Sequence, residues 1–202
     1  MLVAQQLSKR FGARPVFRGV SFEVAPGRVV AVAGSNGAGK STLLRIVAGL
    51  VAPSAGDVAL REGETVLSPG EYRSRVGLFA PDAPVYRELS ALENLRFFAR
   101  ARGLKISDEE LRAHLERFAL KGRAADLAGE LSSGLRARLG FAVATLHAPS
   151  LLLLDEPSAN LDEAGRELLA GVLAEQRQRG LALLATNDVR DFSVCDERIE
   201  LD

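Results

Sequence analysis

Gly34 to Thr42 reads Gly-Ser-Asn-Gly-Ala-Gly-Lys-Ser-Thr, with Gly34, Gly39, Lys40 and Ser41 in G-x-x-x-x-G-K-S spacing. The stretch follows the apolar run VVAVA and precedes LLRIVAGL, which carries apolar residues at helical spacing. That pattern suits phosphate chemistry. Glycines let the backbone of Ser35, Asn36, Gly37, Ala38 and Gly39 wrap an anion with its N–H groups, and the following helix start adds a favourable dipole. The Lys40 ammonium can neutralise β- and γ-phosphate oxygens, and the Ser41 hydroxyl, next to Thr42, can ligate Mg²⁺. A glycine turn with a solvated lysine is the plain alternative, but the strand–loop–helix setting favours a nucleotide site.

A second constellation ends the run LLLL at Asp155-Glu156, with Pro157 stopping the ladder. Ligands of parallel α/β sheets sit at the carboxyl ends of strands, which puts both carboxylates beside the phosphate loop. Asp155 is a candidate Mg²⁺ group. Glu156 is a candidate general base, or a group that positions an attacking water. Phosphate loop plus Asp-Glu favours hydrolysis over binding alone. Leu131 to Arg138, LSSGLRAR, read in isolation is only a capped helix start.

These groups need a scaffold, and the rest of the chain supplies its outline. LVAQQL, VSFEV and VVAVAG read as strands divided by FGARP and APGR, and DVALREGETV reads as a surface hairpin. A helix is expected from about Lys40 to Gly49. From Leu89 to His147 the pattern is almost wholly helical, with Ser107 and Glu110 in capping-box spacing. LLLL (151–154) and LALLA (181–185) return as buried strands around the helix DEAGRELLAGVLAEQRQRG. Apolar runs without alternation, separated by helices, indicate a parallel sheet covered on both faces.

The expected fold class is α/β: a P-loop NTPase core with a mainly parallel sheet, an N-terminal antiparallel β region and an inserted helical subdomain. Residues 1–202 read as one domain, with 1–81 and 149–202 forming the core and 82–148 the helical insert.

Composition narrows the function classes. Lys+Arg and Asp+Glu balance at 26 each among 202 residues, so no global field draws the chain to nucleic acid or anionic membrane. No apolar run approaches the ~20 residues that cross a bilayer, and MLVAQQLSKRF lacks a secretory layout. The chain is expected in the cytoplasm, meeting a membrane only through a partner. One cysteine, Cys195, excludes an intrachain disulfide and reads as structural. His114 and His147 read as structural or surface residues.

Taken together, GSNGAGKST, LSSGLRAR, LLLLDEP and SANLD stand in the order and spacing of ABC-type ATPases. Over nearly its whole length the chain resembles the nucleotide-binding subunit of an ABC transporter, and its compact size resembles exporter-type subunits, including those of haem-export or cytochrome-c-maturation systems. The resemblance implies an ATPase, with ATP and Mg²⁺ as cofactors, working as a head-to-tail homodimer or a heterodimer with another ATPase subunit. Each ATP would lie between one subunit's P-loop and the other's Ser132, Ser133 and Gly134. A separate membrane-spanning permease would dock on the helical block, where the NLRFFARARG stretch supplies candidate contacts or, equally, core residues (Phe97, Phe98). Phe11 matches the aromatic that stacks on adenine, and Asp162 the loop that communicates across the dimer.

Three positions depart from the family pattern. LSSGL replaces Leu-Ser-Gly-Gly-Gln while keeping Gly134. Pro81 stands where the family carries a glutamine, with Asp82 beside it as a candidate metal group if the loop shifts by one residue. Asn187, in LLATNDV, replaces the histidine that contacts the γ-phosphate. An asparagine amide can donate a hydrogen bond but carries no charge and exchanges no proton near neutrality. Hydrolysis is therefore expected to be slow, with ATP binding and dimer closure retained. The alternatives are a degenerate, regulatory ATP-binding subunit and a soluble ABC protein outside transport; the latter usually carries coiled-coil insertions or tandem domains.

Overall fold

A computed structural model describes residues 1–81, 85–159 and 161–201. The strands β1 (Leu2–Phe11), β2 (Arg14–Val24) and β3 (Val29–Gly34) lead into α1 (Lys40–Val47). Next come β4 (Ala55–Glu62), β5 (Thr65–Val66), α2 (Pro69–Arg75) and β6 (Val76–Phe79). The helical block holds α3 (Ala91–Ala101), α4 (Asp108–Arg117) and α5 (Ser133–Thr145). The chain then runs through β7 (Leu151–Asp155), α6 (Glu163–Arg179), β8 (Leu181–Ala185), α7 (Val189–Phe192) and β9 (Glu197–Leu201).

Two sheets result. The antiparallel sheet has the order β2-β1-β4-β5, and the parallel one β6-β7-β8-β3-β9. Every residue of β7 and β8 is buried, as expected for strands covered on both faces. Their side chains still sort by alternation. Leu152, Leu154, Ala182 and Leu184 join one core with the α3–α5 block and with Leu169 and Leu173 of α6. Leu151, Leu153, Leu181 and Leu183 join the other, with Leu43, Leu44 and Val47 of α1 and with Leu2, Leu7 and Phe17 of the antiparallel sheet. The parallel sheet is thus the middle layer, and its strands β3, β7 and β8 deliver their carboxyl ends to one edge of the molecule.

The sequence reading differs at several elements. The β1–β2 ribbon is longer than its apolar stretches suggest, because Phe11 pairs with Arg14 and closes the hairpin at the Gly12-Ala13 turn. Helix α2 and strand β9 carry little apolar signal, since α2 buries no residue and β9 is an edge strand reading ERIEL. Ser107 and Glu110 do form a capping box, and Ser68–Glu71 and Ser90–Glu93 form two more.

Candidate functional site

The loop between β3 and α1 depends on its glycines for specific reasons. Gly39, the N-cap of α1, has φ +101°, and a Cβ there would lie 2.5 Å from Val16 Cγ1. At Gly34, φ +150°, a Cβ would lie 2.5 Å from the Leu201 carbonyl oxygen. Any larger residue at either place would push the loop off its sheet. The loop curls over Lys40, which is only 6% exposed and donates to the carbonyls of Gly34 (2.9 Å) and Ser35 (3.2 Å). Ser35 also accepts from the Ala38 N–H at 3.1 Å, and Ala38 itself is buried beneath the loop.

A cleft of about 440 Å³ opens above this loop. Phe11, Val16, Asn36, Gly37, Gly39, Lys40, Ser41, Thr42 and Glu156 contribute to its wall. Phe11 is 56% exposed, with the Lys9 ammonium over its ring 4.7 Å from the centroid, so the hairpin holds out a largely exposed aromatic ring. Base stacking needs such a face and is tolerant of sequence.

Across the cleft floor, the Ser41 hydroxyl donates to Asp155 Oδ1 at 3.0 Å. Among the described residues no set of three or more His, Cys, Asp or Glu is grouped to hold a metal. A hydroxyl and one carboxylate suit Mg²⁺ nevertheless, because this ion takes one or two protein oxygens and completes its shell with phosphate oxygens and water. Asp82 lies outside the described residues. Pro81 is exposed just beyond β6 and is not among the residues lining the cleft.

Glu156 follows Asp155 directly, in a left-handed conformation (φ +47°) uncommon for a side-chain-bearing residue. Its N–H donates to the Ala185 carbonyl at 2.8 Å, so the end of β8 holds the turn. Burial raises its carboxyl above the ordinary value; Asp155 adds to the rise, while the Lys40 ammonium and the Asn187 N–H oppose it. A carboxyl moved toward neutrality from below suits a proton acceptor. Asn187 follows Thr186 at the tip of β8, and its Nδ2 donates to Asn36 Oδ1 at 2.5 Å, bridging the β8 tip to the phosphate loop.

Ser132, Ser133 and Gly134 are absent from this cleft and stand at the start of α5. Ser132 is its N-cap and accepts from the Leu135 N–H at 3.3 Å, while both serines are exposed. Asp162 caps α6, accepting from the Gly165 N–H at 2.8 Å and from Arg138 of α5 at 2.9 Å, which holds its carboxyl below the usual range. Phe97 is 43% exposed and meets Tyr86 edge-on, with centroids 4.8 Å apart, so it belongs to a surface aromatic cluster rather than to the core. His114 and His147 each place Nε2 within 3.0 Å of a backbone carbonyl, of Ala142 and Val76, and burial lowers both rings, in keeping with structural roles.

Sequence reasoning missed two devices. Asn94, fully buried, donates to the carbonyls of Tyr86, Leu89 and Ser90 and accepts from the Tyr86 N–H, pinning the loop into α3. Ser158, Thr186 and Asp191 form a buried cluster behind the cleft. Asn94 lay on the inner face of a helix pattern, a signal that could have flagged it.

A phosphate loop feeding a helix, an acidic strand end beside it and a middle-layer parallel sheet define a P-loop nucleotide-hydrolysing fold. Residues 17–159 match the ABC transporter family model. The chain is 37% identical over 188 residues to the cytochrome c biogenesis ATP-binding export protein CcmA 2 of Cupriavidus metallidurans, spanning 93% of this chain and 89% of that one. It is 30% identical over 210 residues to the ABC transporter ATP-binding protein NatA of Bacillus subtilis, spanning 98% and 85%. A solved ATP-binding subunit of an ABC transporter superposes with a TM-score of 0.87 at 30% identity, over 100% of this chain and 85% of the other. The fold is also that of an ATP-binding cassette solved as a dimer bound to ADP and Pi, with a TM-score of 0.87 at 24% identity over 100% and 94% of the two chains. This chain belongs to the ABC transporter family, and within it to the ATP-binding, ATP-hydrolysing subunits.

Proposed function

We propose that this subunit binds ATP between its own phosphate loop and the α5 start of a second subunit, and that closure and hydrolysis drive a separate membrane permease. The observation that carries this reading is the division of anion-binding groups between two places. Lys40, Ser41 and Glu156 converge on one cleft, while Ser132, Ser133 and Gly134 present an exposed helix N-terminus elsewhere. An exposed, serine-capped N-terminus is a ready phosphate site that lacks a ligand-bearing wall of its own. A two-fold pair brings each such end over the other's cleft and buries two sites at once.

In the cleft, Phe11 stacks on the base and Lys40 neutralises the β- and γ-phosphates. Ser41 and Asp155 hold Mg²⁺, which when bound offsets phosphate charge. Glu156 takes the proton of the attacking water, and Asn187 donates to a γ-phosphate oxygen. Because Asn187 supplies no positive charge, this step lacks a contact that strengthens as charge develops, and hydrolysis is slow. The permease docks on the 82–148 helical subdomain, where Tyr86, Phe97 and Phe98 cluster. Among the described residues no helix is long and apolar enough to cross a membrane, which fits a peripheral subunit on the cytoplasmic face. The likeness to CcmA 2 supports an export system, and the pair is formed with an identical chain or with another ATPase subunit. Charge balance supports a protein rather than a nucleic-acid partner.

The test is a Glu156→Gln variant with ATP and Mg²⁺, followed by turnover and light scattering. Turnover should fall about 100-fold or more as the general base is lost, while a two-chain species accumulates. Unchanged turnover removes Glu156 from the mechanism. A variant that binds ATP yet stays monomeric at saturating nucleotide overturns the shared site.

A further inference from the structure

Behind the cleft lies a carboxylate that the chemistry above does not use. Asp191 is 5% exposed, and its partners are hydroxyls. Ser158 Oγ lies 2.7 and 2.6 Å from its two carboxylate oxygens, and Thr186 Oγ1 donates to Oδ2 at 2.6 Å. Ser158 and Thr186 are 2% and 0% exposed. Thr186 Oγ1 also accepts from the Asp188 N–H at 3.0 Å, so one hydroxyl closes the turn that carries Asn187 and anchors that turn inward.

The sequence positions of these partners matter. Ser158 sits two residues beyond Glu156, and Thr186 directly precedes Asn187. Asp191 therefore grips the turn after β7 and the turn after β8 with one side chain. The same turns are joined again where the Glu156 N–H donates to the carbonyl of buried Ala185 at 2.8 Å, and the nearby Asn187 N–H favours the ionised Glu156 carboxyl. Glu156 holds a left-handed backbone, a conformation that persists only where the surroundings over-determine it. Burying a carboxylate is costly unless its oxygens are satisfied. An apolar residue would fill the space more cheaply, so the cluster is better explained by alignment than by stability.

We infer that Asp191 is a positioning residue for hydrolysis: through Ser158 and Thr186 it holds Glu156 and Asn187 in register over the γ-phosphate position. This rests on Glu156 being the general base. Binding of ATP itself depends on the phosphate loop and Phe11, which the cluster reaches only through Asn187 and its single bond to Asn36. The signature is thus a fall in kcat without a matching change in ATP affinity, since a displacement of about 1 Å at reacting groups costs on the order of 100-fold.

Thr186→Val, which keeps the shape and deletes the hydroxyl, should lower kcat about tenfold or more and leave KM within about threefold. Thr186→Ser, which returns the hydroxyl, should recover most of the rate. Ser158→Ala combined with Asp191→Asn should cost no more than Asp191→Asn alone, because residues acting as one unit are non-additive. Each protein is checked by thermal melting and by binding of a fluorescent ATP analogue. A folded, ATP-binding Thr186→Val that turns over at the wild-type rate overturns the inference. So does a rate loss matched by equal loss of affinity, or a Thr186→Ser variant no faster than Thr186→Val. A fully active Glu156→Gln would sink the general-base reading and this inference with it; a silent Glu156→Gln beside a fully active Thr186→Val would sink only the role of Asp191.

Discussion

At the start of α1 the Lys40 ammonium is buried against carbonyls of its own loop, and the Asn36 side chain is engaged by Asn187. At the start of α5, by contrast, Ser132 and Ser133 are exposed, and the segment is tied inward through Arg138 to Asp162 of α6. Both are helix N-termini built for anions. One is organised before any ligand arrives, because a lysine and a carboxylate strand end converge on it. The other offers capping groups and a dipole, while the nearby Arg136 is turned back onto the carbonyls of Ala128 and Gly129, which fits the proposed role of a second wall to a site. Preorganisation on one side and dependence on a partner on the other should separate in experiment as affinity against turnover.

Removing the preorganised charge has the largest expected effect. Lys40→Ala should weaken ATP binding and lower turnover by at least about 100-fold, read by equilibrium binding and phosphate release. Binding that survives intact would mean the cradle holds nucleotide by backbone alone. At the other wall, Gly134→Glu places a negative charge where the partner's phosphates would sit. Turnover should fall on the order of 100-fold while ATP affinity of the isolated chain holds within about twofold. Equal losses in both would erase the contrast between the two helix starts.

A smaller gain is expected at the β8 tip. Asn187→His should raise turnover about tenfold by restoring a chargeable donor near the γ-phosphate. Because burial raises the Glu156 carboxyl and the base must be ionised to act, the wild-type rate should fall with decreasing pH from above the ordinary carboxylate range. A flat profile down to the usual value for a carboxylate would contradict that placement.

Phe11→Ala should weaken ATP binding about tenfold, the loss of one stacked base, and Phe11→Tyr should leave it unchanged. The smallest effect concerns folding. Burial lowers His147 to about 4 from 6.5, so the unfolded chain binds the extra proton between these values. Its stability contribution is present above about pH 6.5 and is lost as pH falls toward 4; melting across that window would reveal it, and a His147→Gln variant should flatten it.

What could be read early was local. The phosphate loop, Asp155-Glu156 and the serine cap of α5 are contiguous runs whose chemistry follows from residue type, and the buried strands declare themselves by unbroken apolar character. β9 went unseen because an edge strand with alternating charges resembles a polar tail. Phe11 needed family resemblance, since an aromatic before a Gly-Ala turn is equally good core material until the hairpin is seen to expose it.

The amino-acid order therefore determined the class of ligand, the proposed base Glu156 and the layered α/β plan, because each rests on short-range spacing and burial preference. Tertiary structure alone decided that Asn187 meets Asn36 across 151 residues, that Arg138 meets Asp162, and that Asp191 joins Ser158 to Thr186. The Asn36–Asn187 and Ser158–Asp191–Thr186 meetings arise where parallel strands β3, β7 and β8 end side by side, and Arg138 meets Asp162 where α5 packs on the cap of α6. Sheet register sets such meetings, and no local pattern encodes them.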